Sequence, residues 1–173
     1  YMKGTINVDS VYQQGTTFSL QIPLTEGEMQ VEKVQFSEGA IDTSGLSVLV
    51  VDDNQINRLV LDASLEKFNI KADVAVDGQD AVFKCKQHKY DLIFMDCVMP
   101  VLDGLEATKV LRKQNISAFE DTLIVALTAN TSATDKVACK EAGMDMFISK
   151  PFKLHAIEDA VKCAVEKQAL HKA

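Results

Sequence analysis

The sequence predicts an α/β fold: a doubly wound, five-stranded parallel sheet with helices on both faces. Five short, largely apolar runs alternate with segments whose apolar residues recur at helical spacing, and this alternation is typical of a parallel sheet. The predicted strands are Val48–Val51, Lys71–Val76, Asp91–Asp96, Leu123–Leu127 and Met146–Ser149. Acidic or other polar residues end or follow four of these runs, which is where an open sheet of this class presents its functional groups.

Each segment after a strand has the spacing or the terminal residues of a helix. The predicted helices are 55–68, 79–88, 103–112, 132–143 and one that starts near 154. Asp103 and Ser132 are suitable N-caps, and Ser132 has Asp135 three residues further on, as in a capping box. Gly143 is a typical residue at which a helix stops.

The chain before the first sheet strand has a different character. Residues 1–24 alternate between polar and apolar side chains around a turn-like stretch at Gln13–Thr16, which predicts a β-hairpin. A lone hairpin is marginal in water, so we expect it to be the end of a larger, truncated domain. The following residues are rich in Glu and Gly without periodicity, which indicates a linker. We therefore predict a hairpin at 1–24, a linker at 25–45, the α/β domain at 46–168 and a tail at 169–173.

Composition and charge argue against several functions. The chain has 173 residues, of which 47% are hydrophobic and 25% charged, an ordinary balance for a globular protein. Its formal net charge of -7 argues against sequence-independent binding of nucleic acid. No apolar run approaches the roughly 18 residues of a membrane span, and no signal peptide is visible. We expect no nucleic-acid partner and no direct membrane contact.

The four cysteines do not indicate a zinc site. Cys85, Cys97, Cys139 and Cys163 lack the spacing of metal ligands, so we interpret them as reduced thiols that pack as small apolar side chains. Reduced thiols are typical of a cytosolic protein. Cys97 is the one that we would test for redox sensitivity, because it is adjacent to Asp96.

Three acidic residues follow or end two of the strands. Asp52 and Asp53 are adjacent carboxylates that repel each other, and Asp96 adds a third. A divalent cation would explain such a group, because Mg²⁺ prefers hard oxygen ligands and needs only one or two carboxylates beside a phosphate. The alternative is a solvated turn, since Asp-Asp-Asn also suits a helix N-terminus. The pair alone leaves both interpretations open.

Thr128 and Lys150 follow the fourth and fifth strands. A threonine hydroxyl can bond a phosphoryl oxygen, and a lysine ammonium can neutralise charge on a transferred group. Either residue alone is equally an ordinary strand-end or surface side chain. Because the carboxyl ends of parallel strands share one edge of a sheet, we expect both to converge with the acids. The set has the chemistry of a metal-assisted phosphoryl acceptor.

The order and spacing of these groups resemble the receiver domain of two-component signalling. The matching residues are Asp52-Asp53, then Asp96 with Met99-Pro100-x-x-Asp103-Gly104, then Thr128-Ala129, and finally Lys150-Pro151-Phe152. The resemblance covers residues 45–168 and includes Asp52-Asp53-Asn54-x-x-Asn57-Arg58, a form common in receivers fused to histidine kinases. It implies the flavodoxin-like strand order 2-1-3-4-5 and a cis peptide bond before Pro151.

The resemblance also implies a role for each residue. Asp96 is similar to the phosphorylated nucleophile of receivers, while Thr128 and Lys150 would hold phosphoryl oxygens. Phe147 matches the position of the aromatic switch residue. The implied ligands of Mg²⁺, with Mn²⁺ as an alternative ion, are Asp53, Asp96 and the backbone carbonyl of Val98, with Asp52 acting through water.

Residues 1–24 resemble the last strands of the ATP-binding domain of a histidine kinase. The matching stretches are Gly4-x-Ile6-x-Val8-x-Ser10 and Gly15-Thr16-x-Phe18-x-Leu20-x-Ile22-Pro23. The nucleotide-binding boxes and the phosphorylated histidine are absent from the sequence, so we expect no self-phosphorylation from ATP. The resemblance implies a cytoplasmic, C-terminal part of a hybrid sensor kinase that is itself anchored in the inner membrane.

The predicted site suits three functions to different degrees. A phosphoacceptor would take its phosphoryl group from phosphohistidine on a kinase dimerisation domain and pass it to a histidine phosphotransfer protein. Its Mg²⁺-dependent transfer is self-catalysed, which leaves its status as an enzyme open, whereas kinase activity would belong to the parent protein. An aspartyl-phosphate phosphatase would need its second acid two residues after a first-strand nucleophile, and here the acids are adjacent. A phospho-independent pseudo-receiver would be expected to lose part of the site, and this chain keeps all of it.

Overall fold

The computed structural model describes residues 4–23, 41–113, 121–129 and 132–172. The chain divides into two compact units, Tyr1–Phe36 and Ser37–Ala173, each with its own sheet. Most of the predicted linker, residues 25–40, lies outside the described residues.

The first unit contains the predicted β-hairpin. Strands β1 (Thr5–Val11) and β2 (Gly15–Gln21) pair antiparallel. Val8 lies opposite Phe18, and residues paired in this way project from the same face of a hairpin. The two side chains are 54% and 69% exposed, respectively, and all other residues of both strands are exposed as well. The hairpin therefore has an apolar face that no described residue covers.

The second unit contains the predicted five-stranded sheet and its helices. The strands are β3 (Val48–Val51), β4 (Asp73–Ala75), β5 (Leu92–Asp96), β6 (Leu123–Thr128) and β7 (Met146–Ser149). The helices are α1 (Gln55–Leu65), α2 (Gly78–Gln87), α3 (Gly104–Lys113), α4 (Ala133–Ala142) and α5 (Leu154–Lys172).

All neighbouring strands of this sheet are parallel, in the order β4-β3-β5-β6-β7. This order confirms the doubly wound class and the 2-1-3-4-5 arrangement. Strand β3 shows why both faces are covered. Leu49 and Val51 join the core formed with α2, α3 and α4, whereas Val48 and Val50 join the core formed with α1 and α5. Alternate side chains of a buried strand serve opposite faces, which explains the continuous apolar run in the sequence.

The predicted capping residues have the expected contacts. Asp103 Oδ1 accepts a hydrogen bond from the backbone N–H of Glu106 at 2.8 Å, at the start of α3. The Ser132 hydroxyl accepts from the backbone N–H of Asp135 at 3.2 Å, at the start of α4. Gly143, at a φ of 96°, ends α4 in the left-handed conformation that glycine adopts readily.

Some predicted boundaries differ from those in the structure. Helix α1 ends at Leu65 and continues as a short 3-10 turn, Glu66–Phe68, which Asn69 closes at a φ of 56°. The second sheet strand spans only Asp73–Ala75, the three residues that pair with β3 at the sheet edge. Helix α5 extends to Lys172, so residues 169–172 continue a helix rather than form the predicted tail.

Candidate functional site

Four parallel strands bring polar side chains to one edge of the sheet. Asp96 and Thr128 are the last residues of β5 and β6, whereas Asp52 and Lys150 directly follow β3 and β7. These strands are neighbours in parallel register, so all four run toward the same edge. The predicted site residues therefore lie on adjacent strands, although up to 98 residues separate them in the chain.

Lys150 bridges two of the acids. Its Nζ lies 2.7 Å from Asp52 Oδ2 and 2.6 Å from Asp96 Oδ2. Burial by itself would lower the pKa of Lys150, but the hydrogen bonds and charges of the two carboxylates outweigh it and raise that pKa. The lysine is therefore a fixed ammonium ion between two carboxylates.

Asp52 is fully buried and its carboxylate is saturated with hydrogen bonds. Oδ1 accepts from the backbone N–H of Asn54 at 2.9 Å and from Asn57 Nδ2 at 3.1 Å. Oδ2 accepts from Asn57 Nδ2 at 3.0 Å and from Lys150. These four interactions match the roughly four lone-pair sites of a carboxylate, so Asp52 is held in one orientation.

Asp96 is buried at the centre of the site. Burial raises the pKa of Asp96, and the nearby charge of Asp52 raises it further. Lys150 lowers that pKa, as does the Val98 backbone N–H at 3.3 Å from Asp96 Oδ1, but burial prevails. The folded protein therefore holds the Asp96 carboxylate in an unfavourable environment, a property common in reactive groups.

Asp53 completes the acidic cluster and differs from the other two acids. Carboxylate oxygens of Asp52, Asp53 and Asp96 all lie within 4.8 Å of one another. Asp53 is exposed, and its carboxylate has no hydrogen bond or ion pair with the described residues. It does not cap α1, because Asn54 Oδ1 accepts the Ile56 N–H at 2.8 Å in that role. One free carboxylate beside two buried ones is a hard-oxygen donor set that fits Mg²⁺.

The loop after Asp96 packs closely against the strand that it leaves. A Cβ atom added to Gly104 would lie 1.9 Å from the backbone carbonyl oxygen of Asp96, so only glycine allows this approach. Val101 has a φ of 68°, which is unusual for a β-branched residue. The loop leaves Val98, two residues after Asp96, 81% exposed.

The other two predicted site residues, Thr128 and Phe147, differ in their exposure to solvent. Thr128 is buried, and its carbonyl accepts the Lys150 backbone N–H at 2.8 Å, which ties together the ends of β6 and β7. The Lys150–Pro151 peptide bond is cis, as the resemblance to receivers implied. Phe147 is 47% exposed on the edge strand β7, and Lys136 Nζ lies 4.5 Å from its ring centroid.

Two residues of α1 reach back into the site, and the sequence analysis assigned them no role. Asn57 donates to both carboxylate oxygens of Asp52. Arg58 Nη1 donates to the backbone carbonyls of Asp52 at 2.6 Å and Asp53 at 2.9 Å. The available signal was their place in the first turn of the helix after the acid pair, where side chains point back toward the N-terminus.

Two of the cysteines are neighbours beside the site. Cys97 and Cys139 are buried, and their Sγ atoms lie 3.6 Å apart. Burial raises the pKa of the Cys97 thiol, and Cys139 raises it further. All four cysteines are free thiols, which agrees with the sequence interpretation.

Comparison with known proteins gives the family. Residues 48–162 match the model of the response regulator receiver domain, which is well over half of the chain. The chain is 41% identical over 175 residues to the hybrid signal transduction histidine kinase K of Dictyostelium discoideum, and 35% identical over 159 residues to the sensor protein EvgS of Escherichia coli. The chain therefore belongs to the receiver domain family, in the form found in hybrid histidine kinases.

The chain is a small part of those relatives in length. The two matches cover 95% and 91% of this chain but only 14% and 13% of the relatives. Among the residues that the structure describes, no helix is long and apolar enough to cross a membrane. The predicted membrane anchor of the parent protein stays a prediction.

Two solved structures are similar in fold and in sequence. The receiver domain of the Pseudomonas aeruginosa sensor histidine kinase PA1611, with magnesium coordinated in its active-site cleft, is 35% identical with a TM-score of 0.65. That match covers 71% of this chain and 99% of the other. The receiver domain of Ssk1 from Saccharomyces cerevisiae, crystallised with the histidine phosphotransfer protein Ypd1, is 38% identical with a TM-score of 0.66. That match covers 72% of this chain and 91% of the other.

Proposed function

We propose that Asp96 is the phosphoacceptor of this receiver and takes its phosphoryl group from a phosphohistidine. The observation that carries the proposal is the Lys150 ammonium within 2.7 Å of both Asp52 and Asp96, with Asp53 left open beside them. A nucleophilic carboxylate, a fixed cation and an open acid are the parts that phosphoryl transfer requires.

The acidic cluster is proposed to hold Mg²⁺, with Mn²⁺ as an ion that can replace it. Asp53, Asp96 and the Val98 carbonyl would be the ligands. Asp52 would act through a water that replaces one of its present hydrogen bonds, which come from Asn54, Asn57 and Lys150. When bound, the ion neutralises charge on the phosphoryl oxygens. The magnesium site described in the PA1611 receiver supports this assignment.

The proposed transfer uses the described side chains in defined roles. A carboxylate oxygen of Asp96 attacks phosphorus, the O–P bond of an acyl phosphate forms, and the N–P bond breaks with its electron pair left on the imidazole. Lys150 keeps its proton and stabilises negative charge on the phosphoryl oxygens. The Thr128 hydroxyl would bond another of these oxygens once it turns to the group.

Phosphorylation is proposed to change the surface at β7. The phosphoryl oxygens on Asp96 would replace its carboxylate as partners of Lys150 and compete with Asp52 for the same ammonium, and they would draw in the hydroxyl of Thr128. Phe147 lies on the adjacent strand and is half exposed, so its side chain is the proposed switch. A local charge change would in this way bias a two-state surface.

Helix α1 is the proposed docking surface for the phosphotransfer partner. Ile56, Leu59 and Val60 are 69%, 59% and 45% exposed, and their spacing places them on one face of the helix. This apolar stripe begins one turn from Asp53, so a helix of a histidine phosphotransfer protein seated on it could present its histidine to Asp96. The Ssk1 receiver crystallised with Ypd1 supports a partner of this kind.

The hairpin is proposed to be the end of a kinase ATP-binding domain, with residues 25–45 as the linker. Its exposed apolar face, which includes Val8 and Phe18, would be covered by the remainder of that domain. The match to a hybrid histidine kinase over 95% of this chain supports this arrangement. The parent protein would then supply the donor phosphohistidine from its dimerisation domain.

Treatment with acetyl phosphate and Mg²⁺, followed by mass spectrometry, tests the proposed function. The wild-type chain should gain one phosphoryl group, located on Asp96, and Asp96→Asn should gain none. Labelling of Asp96→Asn at the wild-type level would contradict the assignment. Absence of labelling in the wild type, with both acetyl phosphate and phosphoramidate, would favour the pseudo-receiver, and steady release of phosphate from small esters would favour a phosphatase.

A further inference from the structure

Arg58 is a cation beside three carboxylates that pairs with none of them. Among the described residues it has no ion pair, and its Nη1 instead donates to the carbonyls of Asp52 at 2.6 Å and Asp53 at 2.9 Å. If its function were to neutralise the acidic cluster, a carboxylate oxygen would be its natural partner. The guanidinium therefore restrains the backbone of Asp52 and Asp53 and forms no ion pair with their carboxylates.

The position of Arg58 is electrostatically unfavourable for the helix that carries it. It lies in the first turn of α1, where its backbone N–H donates to the Asn54 carbonyl at 3.2 Å. A cation is disfavoured at a helix N-terminus, because the helix dipole is positive there. The hydrogen bonds to the Asp52 and Asp53 carbonyls offset this unfavourable interaction with the helix dipole.

Asn57 restrains the segment Asp52–Asp53 by contacting the side chain of Asp52. Its amide contacts both oxygens of the Asp52 carboxylate, at 3.1 and 3.0 Å. Asn57 therefore holds the side chain of Asp52, and Arg58 holds the backbone carbonyls of Asp52 and Asp53. Asp53 is left with a fixed backbone and a free carboxylate.

We propose that Arg58 is a positioning residue that, with Asn57, presents the Asp53 carboxylate to a divalent cation. The inference rests on the proposed Mg²⁺ site and assigns to Arg58 a part in its affinity. Residues that orient metal ligands without touching the metal typically contribute tenfold to hundredfold in affinity, so about tenfold weaker Mg²⁺ binding is expected on loss of the guanidinium. Repulsion between Arg58 and the cation acts in the opposite direction, which makes the sign of the effect decisive.

Calorimetric titration of Mg²⁺ into the whole chain, with melting in EDTA as a second readout, tests this role. Arg58→Gln should bind Mg²⁺ about tenfold more weakly. Arg58→Lys should be intermediate, because a single nitrogen makes both contacts but the lysine side chain is shorter. At saturating Mg²⁺ the maximal labelling of Arg58→Gln by acetyl phosphate should recover, since only the half-saturating Mg²⁺ concentration is shifted.

Arg112→Gln is the control. Arg112 also donates to two backbone carbonyls, Gly143 at 2.9 Å and Thr122 at 3.2 Å, but at the start of β6, the opposite sheet edge. Unlike Arg58, it also forms an ion pair, with Asp145 Oδ2 at 2.8 Å. This variant should melt lower in EDTA with unchanged Mg²⁺ affinity.

Three outcomes would overturn the positioning role. Unchanged or tighter Mg²⁺ binding by Arg58→Gln would show that the arginine is structural or repels the ion. If Arg58→Gln does not fold, wild-type affinity in Arg58→Lys would have the same meaning. If the wild type does not bind Mg²⁺, the proposed function and the positioning role both fail. If the wild type binds Mg²⁺ and the variants bind it equally well, only the positioning role fails.

Discussion

Lys150 Nζ lies 2.6 Å from Asp96 Oδ2, although the two residues are 54 positions apart in the sequence. The contact neutralises part of the buried charge, yet burial still raises the pKa of Asp96 and so destabilises its ionised form. A buried carboxylate that remains unfavourable despite a lysine partner is consistent with a side chain retained for its reactivity.

Asp96→Asn should stabilise the fold at neutral pH. Because the folded-state pKa is raised above the ordinary 3.8, the folded protein binds this proton more tightly than the unfolded chain does. The contribution of the Asp96 carboxyl to the free energy of unfolding therefore falls as the pH rises above about 3.8. The asparagine amide does not ionise, so the variant avoids this loss of stability. We expect a higher melting temperature at pH 7 in EDTA, and this gain should disappear below about pH 4.

Thermal melting at both pH values, with Asp159→Asn as the control, measures this effect. Asp159 is exposed on α5, so its replacement should change stability by less than about 0.5 kcal/mol. A lower melting temperature for Asp96→Asn at pH 7 would mean that the ion pair with Lys150 outweighs burial.

Asp53→Asn should separate the metal site from the fold. The carboxylate has no partner within the part of the chain that the structure describes, so its loss should relieve repulsion within the acidic cluster and raise the melting temperature in EDTA. The same change should remove most of the further rise that Mg²⁺ produces in the wild type, because a ligand is lost. Both effects are measured by melting curves with EDTA and with Mg²⁺, and a full Mg²⁺ gain in the variant would exclude Asp53 as a ligand.

Gly104→Ala should be among the most destabilising single substitutions in the domain. The new Cβ would meet the Asp96 carbonyl oxygen at 1.9 Å, so β5 and α3 must separate. We expect a loss of about 3 kcal/mol or more in urea unfolding. Gly45→Ala is the control: its Cβ would meet no atom within 4 Å, so only the cost of a φ of 79°, about 1–2 kcal/mol, applies. Equal losses in the two variants would contradict the packing argument.

The cysteines should differ in reactivity according to burial. Cys163 is partly exposed, whereas burial raises the pKa of Cys85 to about 12 and also raises the pKa of Cys97. Iodoacetamide at pH 8 should therefore modify Cys163 first in the native protein and all four cysteines in urea. Mass spectrometry after timed quenching gives the order. Native labelling of Cys97 as fast as that of Cys163 would reveal a reactive thiol beside Asp96.

The elements of the sheet were predictable because their signals are local. A buried strand requires a continuous apolar run, and a helix shows its period and its caps within a few residues, as at Ser132 and Gly143. Convergence of Asp52, Asp96 and Lys150 then follows from parallel topology alone. The end of α1 was missed because the 3-10 turn there keeps a helical sequence pattern until Asn69 reverses the chain.

The sequence by itself determined the succession of strands and helices along the chain and the types of the groups that end the strands, whereas the order of the strands within the sheet was implied by the resemblance to receivers. Only the tertiary structure decided how those groups divide their partners. Lys150 contacts two of the three acids, Asn57 donates to both carboxylate oxygens of Asp52, and the Asp53 carboxylate has no partner among the described residues. The reason is physical: composition and period specify which backbone segments are buried together, whereas each hydrogen bond depends on distances of a few tenths of an ångström between side chains from distant segments.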